Sequence, residues 1–203
     1  MAANPGGDRT PRHPPSDLAS HSLPKTRQIA RQWFRVHPTA YHAIYFCLVP
    51  THRYSHPKCK SNILYVGIDA QTSLWESFGD MTFDNGHALP RTHWDNYSCS
   101  IIDVPPLHLC DLSNSTTRGA VSVDLSSLMN DDITLPQEWG LAIQEHPDQV
   151  PAIKFKSRFT GNACLAIFER GGLPAQLKEM NLGPLHSYDP AQEWLARNQI
   201  SLV

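Results

Sequence analysis

The amino-acid sequence predicts a single α+β domain built from mixed short strands and short helices. Strand-like and helix-like stretches follow one another without the regular alternation of a doubly wound parallel sheet. Neither Gly-x-Gly-x-x-Gly nor Gly-x-x-x-x-Gly-Lys occurs, so the two commonest glycine-rich nucleotide cradles are absent. With 203 residues the chain can bury one sizeable core and is short for two.

Residues 1–27 read as a flexible tail, because Pro5, Pro11, Pro14, Pro15 and Pro24 stand with Gly6 and Gly7 and leave little apolar surface to offset ordering. The folded domain is expected over 28–203, opening at Ile29 to Val36 with Trp33 and Phe34. Asn62 to Ile68 is apolar on both alternating faces, which predicts a strand central in a sheet. Asp69 can cap a helix whose stripe is Ala70, Leu74 and Phe78, with Gly79 as its stop signal. Glu76 follows Leu74 by two positions, about 200° around that helix, and so points away from the stripe toward a cleft or solvent.

Val121 to Leu125 alternates as a strand, and Pro136 to His146 reads as a helix with proline in its first turn and Pro147 beyond its end. Ile153, Phe155 and Ser157 share one strand face, Thr160-Gly161-Asn162 supplies turn chemistry, and Cys164 to Phe168 returns. This predicts a hairpin with Ser157 near its tip. Asp189 and Pro190 open a last helix, with Gln192 placed for a capping box, before a closing strand at Ile200 to Val203.

Charge and composition exclude several function classes. A formal net charge of -2, from 17 basic and 19 acidic residues, gives no positive field for nucleic acid or an acidic membrane. Apolar runs such as Ile63 to Val66 are far shorter than the roughly 18 residues of a membrane helix. No apolar secretion signal opens the chain, so a cytoplasmic location is expected. Five scattered cysteines (Cys47, Cys59, Cys99, Cys110, Cys164) read as free thiols of a reducing compartment.

Thr51-His52-Arg53-Tyr54-Ser55, then Asn62 to Gly67, then Ser73-Leu74-Trp75-Glu76, and far downstream Lys154-Phe155-Lys156-Ser157-Arg158, together resemble the signature of the RES-domain family, named for its Arg, Glu and Ser. The similarity runs from about Trp33 to the C-terminus. Thr51 and His52 stand where many members carry Gly-Gly. The resemblance implies an ADP-ribosyltransferase-like fold and a cleft that takes NAD as substrate, with no further cofactor. It assigns Arg53, Glu76 and Ser157 as catalytic, and Tyr65, Tyr41, Arg35 and Arg158 to substrate binding. It also implies a bacterial toxin neutralised by a cognate antitoxin, as a homo-oligomer or a toxin–antitoxin hetero-oligomer.

The chemistry of that substrate suits these residue types. Breaking the nicotinamide N-glycosidic bond builds positive charge on the ribose, which a carboxylate such as Glu76 can offset while accepting a sugar hydroxyl. The planar fork of Arg53 matches phosphate oxygens. Tyr65 could stack on nicotinamide or serve as a core aromatic, and Ser157 could donate to substrate or to Glu76, or simply close a turn. The captor of the ribosyl cation is left open between water, inorganic phosphate and, as the alternative, a protein side chain. A non-catalytic binding module would keep the fold and lose these residues.

Two other chemistries are weaker. His52, His56 and Cys59 lie close in sequence but lack the paired spacing of a four-ligand zinc site, so no metal is expected. A Cys-His hydrolase would need Cys47 or Cys164, both in apolar runs where burial keeps a thiol protonated.

Overall fold

Short β-branched and aromatic runs build one curled sheet, and amphipathic helices cover it. The structure is a computed structural model that describes residues 12–203; Pro5, Gly6, Gly7 and Pro11 of the expected tail lie outside the described residues. The first half of the chain forms β1 (Thr26–Gln28), β2 (Arg31–Pro38), β3 (Ile63–Gly67), α1 (Ala70–Asp84), β4 (Ala88–Leu89), α2 (Arg91–Asp95), β5 (Tyr97–Val104) and β6 (Leu107–Asp111). The second half adds α3 (Ser115–Ala120), α4 (Leu125–Met129), α5 (Thr134–Gln144), β7 (Ala152–Lys156), β8 (Ala163–Phe168), β9 (Lys178–Pro184), α6 (Asp189–Arg197) and β10 (Ser201–Leu202).

Eight strands form one mixed sheet in the order β1-β6-β7-β8-β3-β2-β5-β9, and β4 pairs with β10 apart from it. Within the large sheet only β6 and β7 run parallel. This is the single α+β domain expected from the sequence. As expected, β3 is central: Ile63 and Tyr65 pack with Phe155 and Phe168 on one face, and Leu64 and Val66 with Trp33 and Ile102 on the other. The sheet is pinched at its middle. β3 meets β2 through Phe34 opposite Gly67, whereas β2 and β5 pair along eight positions. The two halves therefore diverge on either side of one contact.

Helix α5 seals one half with Trp139 and Ile143, and α1 seals the other with Leu74 and Phe78 beside Trp94 and Trp194. The stripe of α1 is as expected, with Ala70, Leu74 and Phe78 buried and the Thr72 N–H donating to Asp69 Oδ1 at 2.7 Å.

Three expectations about elements are corrected. Gly79 does not stop α1, which runs on to Asp84; a Cβ there would meet the Phe159 ring at 2.6 Å, so the glycine makes room for that ring. Val121 to Leu125 is not a strand. Ser122 turns the chain at φ +61° and Asp124 caps α4 by accepting from the Ser127 N–H at 2.8 Å, while Val121 and Val123 are buried as anchors and produce the alternation. Gln192 forms no capping box; its Nε2 donates to the Leu185 carbonyl at 2.7 Å.

The boundary after residue 27 falls inside β1, which pairs with β6. Upstream of it, Leu18 and Leu23 are 8% and 3% exposed. The Trp139 Nε1–H donates to the Arg12 carbonyl at 2.8 Å, and the Leu23 N–H donates to Asp148 Oδ2 at 2.8 Å. The segment 12–27 is thus part of the fold. Its prolines obscured two leucines that reach the core. No helix among the described residues is long and apolar enough to cross a membrane.

Candidate active site

Glu76 projects from α1 on the side opposite Leu74. Its side chain is exposed to solvent, and the surrounding protein still costs its carboxyl part of its hydration. Loss of hydration raises its pKa from the usual glutamate value, and the Ser157 hydroxyl, Arg53 and Arg158 oppose that rise. Those three residues come from two distant segments. The fold gathers them around one carboxylate.

Ser157 sits where β7 ends and its side chain is fully buried. Its Oγ accepts from the backbone N–H groups of Phe159 and Thr160, each at 3.2 Å. With its lone pairs so engaged, the hydroxyl proton is free to be donated, and Glu76 is the acceptor it faces. The turn is held in shape by Gly161 at φ +71° and by the Ser157 N–H donating to the Asn162 carbonyl at 2.8 Å. Asn162 Nδ2 in turn donates to Asp69 Oδ2 at 3.2 Å, tying the hairpin tip to the start of α1.

Arg53 donates through Nη1 to the carbonyls of Leu128 and Asn130 at 2.7 and 2.8 Å. Burial lowers its pKa, and the neighbouring Arg158 lowers it further, while Tyr54, Glu76 and Asp131 raise it. Arg158 bonds Asp131 Oδ1 through Nη1 at 2.5 Å and Asp80 through Nη2. Its guanidinium also covers the Phe159 ring, 4.6 Å from the centroid. An open hollow of roughly 660 Å³ lies beside it, bounded by Asp80, Asp131, Phe83 and Phe159.

Tyr65 anchors the loop that carries Arg53. Its oxygen accepts from the Tyr54 N–H at 3.1 Å and shares a hydrogen bond with Ser55 Oγ at 3.0 Å, and His52 lies edge-on to its ring at 5.2 Å. From below, Gln137 on α5 donates through Nε2 to the His52 carbonyl at 3.1 Å. A Cβ on Gly140 would meet the Tyr54 carbonyl oxygen at 2.4 Å, so α5 presses directly on this loop.

The structure does not bring Arg35 and Tyr41 to this group. On β2, Arg35 alternates with Phe34 and Val36 and so shares the face of Trp33, the side of the sheet away from Tyr65. It donates to the carbonyls of Ala43 and Tyr45, holding the following loop, and burial lowers its pKa to about 10. Its link to the group is its charge near His52. Tyr41 is exposed, stacks on Tyr45 at 4.9 Å, and borders a smaller hollow of roughly 280 Å³ with His37, Ser100 and Glu179.

Asp80, Asp131, Gln137 and Gly140 carry no local signal in the sequence that marks them for this site. Asp80 and Asp131 lie 78 and 27 positions from the arginine they bind. Among the described residues, no group of three or more His, Cys, Asp or Glu side chains is placed to hold a metal, the trio His52, His56 and Cys59 included. Burial pushes the Cys164 thiol up, favouring its neutral, poorly nucleophilic form.

No protein-family model matches the chain, and no curated protein matches it in sequence. Solved structures do match. The fold is shared with a toxin–antitoxin structure. A chain of the crystal structure of the M. tuberculosis MbcT-MbcA toxin-antitoxin complex superimposes with a TM-score of 0.63 at 19% identity, covering 85% of this chain and 92% of that chain. The likeness extends over nearly the whole described fold and establishes the architecture.

Proposed function

We propose that this chain is the toxin of a toxin–antitoxin pair and cleaves the nicotinamide N-glycosidic bond of NAD in the cytoplasm. The observation that carries the reading is the solvent-accessible Glu76 carboxylate in the neighbourhood of the Ser157 hydroxyl and within electrostatic range of Arg53 and Arg158. Two guanidiniums within range of one carboxylate suit a substrate with a diphosphate near an electron-poor sugar. The arginines neutralise the phosphates, and Glu76 is left to face the ribose.

In the step itself, the bond between C1′ and the pyridinium nitrogen breaks and its electron pair leaves with neutral nicotinamide. The ribose carries the resulting oxocarbenium charge, which ionised Glu76 offsets and which water or phosphate captures, losing a proton. Ser157 orients Glu76 and keeps it ionised by donating to it. The resemblance of the Arg53, Glu76 and Ser157 segments to the RES-domain family supports the same assignment, and the fold shared with a chain of a toxin–antitoxin complex supports an antitoxin partner.

The test is to incubate the purified protein with NAD, with and without inorganic phosphate, and to identify products. Free nicotinamide with ADP-ribose is expected of a glycohydrolase, and nicotinamide with a phosphorylated ADP-ribose of a phosphorylase. ADP-ribose attached to protein would move the activity to the alternative, a protein ADP-ribosyltransferase. NAD recovered intact would overturn the proposal.

A further inference from the structure

Both arginines of the site are already engaged by one stretch of chain, the end of α4 and the turn after it. Leu128 and Asn130 give their carbonyls to Arg53 at 2.7 and 2.8 Å. One residue later, Asp131 gives its carboxylate to Arg158 at 2.5 Å. Asp80, from α1, takes the other arm of the same guanidinium. These oxygens are the ones a diphosphate would otherwise supply.

We propose that Asp131, with Asp80, is an internal ligand that positions Arg158 and is displaced when a diphosphate binds. The proposal deepens the NAD reading by naming what sets the affinity for the diphosphate half of the ligand. It requires a cheap displacement, and the exposures fit: the Asp131 and Asp80 side chains are 93% and 70% exposed, whereas that of Arg158 is 21% exposed. Water can take over the carboxylates as they leave, while the half-buried guanidinium needs an anion and receives one carrying more charge. The hollow beside Arg158 gives the turn at Asp131 somewhere to move. Arg53 behaves differently, because its carbonyl partners are backbone and are bonded through Nη1 alone, which leaves the donors of Nη2 and Nε for a phosphate.

An exposed ion pair contributes little, so each carboxylate holds down anion affinity by no more than about fivefold. The experiment measures the affinity of the full chain for inorganic pyrophosphate by calorimetry, for the parent, Asp131→Asn, Asp131→Glu and the double variant Asp80→Asn with Asp131→Asn. Asp131→Asn is expected to bind pyrophosphate about two- to fivefold more tightly, the double variant more tightly still, and Asp131→Glu like the parent, all with unchanged melting temperature. Substrate KM should fall in the same order, with kcat altered less. Unchanged or weaker pyrophosphate binding in the Asn variants, or no binding to any form, would overturn the proposal. Pyrophosphate contains no glycosidic bond, so its binding reports on Asp131 and Asp80 even in a chain that leaves NAD intact.

Discussion

Glu76 balances two requirements that pull its proton in opposite directions. Its enclosure disfavours the ionised form and raises its pKa, and Ser157, Arg53 and Arg158 offset part of that rise. Replacing Ser157 by Ala removes the hydroxyl donor and leaves the opposing desolvation, so the carboxyl pKa must rise further. The acid limb of kcat/KM against pH should therefore move to higher pH in Ser157→Ala, a shift read directly from the two profiles. A coincident limb would mean that Ser157 only closes the turn. At this scale the sequence was informative where chemistry and element coincide. Glu76 opposite a clear apolar stripe, and Ser157 at a hairpin end, could both be placed from their neighbours. Arg35 could not, because which face of β2 an arginine occupies follows from pairing with β3 and β5, partners that no local pattern names, and Tyr41 lies in the loop beyond β2, where no periodicity fixes its direction.

The site stands on the contact between α5 and the loop carrying Arg53 and Tyr54. Helix α5 was legible from its prolines, to within two residues at each end. What it presses against was not. Gly140 looks like an ordinary helix-weakening glycine until the Tyr54 carbonyl is found 2.4 Å from where its Cβ would stand. Alanine gains about 0.5–1 kcal/mol of helix propensity, but the neighbour is backbone and cannot rotate away, and overpacking costs about 1–3 kcal/mol. Gly140→Ala should therefore lower stability by denaturant unfolding on the order of 1–2 kcal/mol and should raise KM, since the displaced loop carries Arg53. A variant as stable as the parent would show that α5 and the loop are not in tight contact. The misread strand at Val121 to Leu125 teaches the same point: two buried valines spaced by two satisfy a strand pattern as well as a turn.

Across the whole molecule, the sheet order brings residues from 53, 76 and 157 to one place because β3, β7 and β8 are neighbours and α1 follows β3 without a loop of any length. That order was invisible in the sequence beyond the α+β class. The N-terminal segment is the other large-scale difference. Leu18 and Leu23 lie in or against the core under α5, and burying a leucine contributes about 1.5–3 kcal/mol. Deleting residues 2–27 should therefore lower the melting temperature clearly, and removing residues 2–11 should cost less. Equal melting temperatures for the parent and the longer deletion would return the segment to the status of a tail.

Catalysis in this scheme turns on Glu76 stabilising the charge that develops on the ribose of NAD. Because enclosure raises its folded pKa above the unfolded value, the stability this group contributes in its protonated form is complete at low pH and is lost as pH rises through the folded pKa. A neutral glutamine escapes that loss, so Glu76→Gln should melt no lower than the parent at neutral pH. The deciding comparison is the rate of nicotinamide release from saturating NAD by the parent and by Glu76→Gln at matched fold. The expected result is a fall in kcat on the order of 10² to 10³ with KM little changed; release at the parent's rate from a folded Glu76→Gln protein would mean that the stabilising carboxylate is not Glu76.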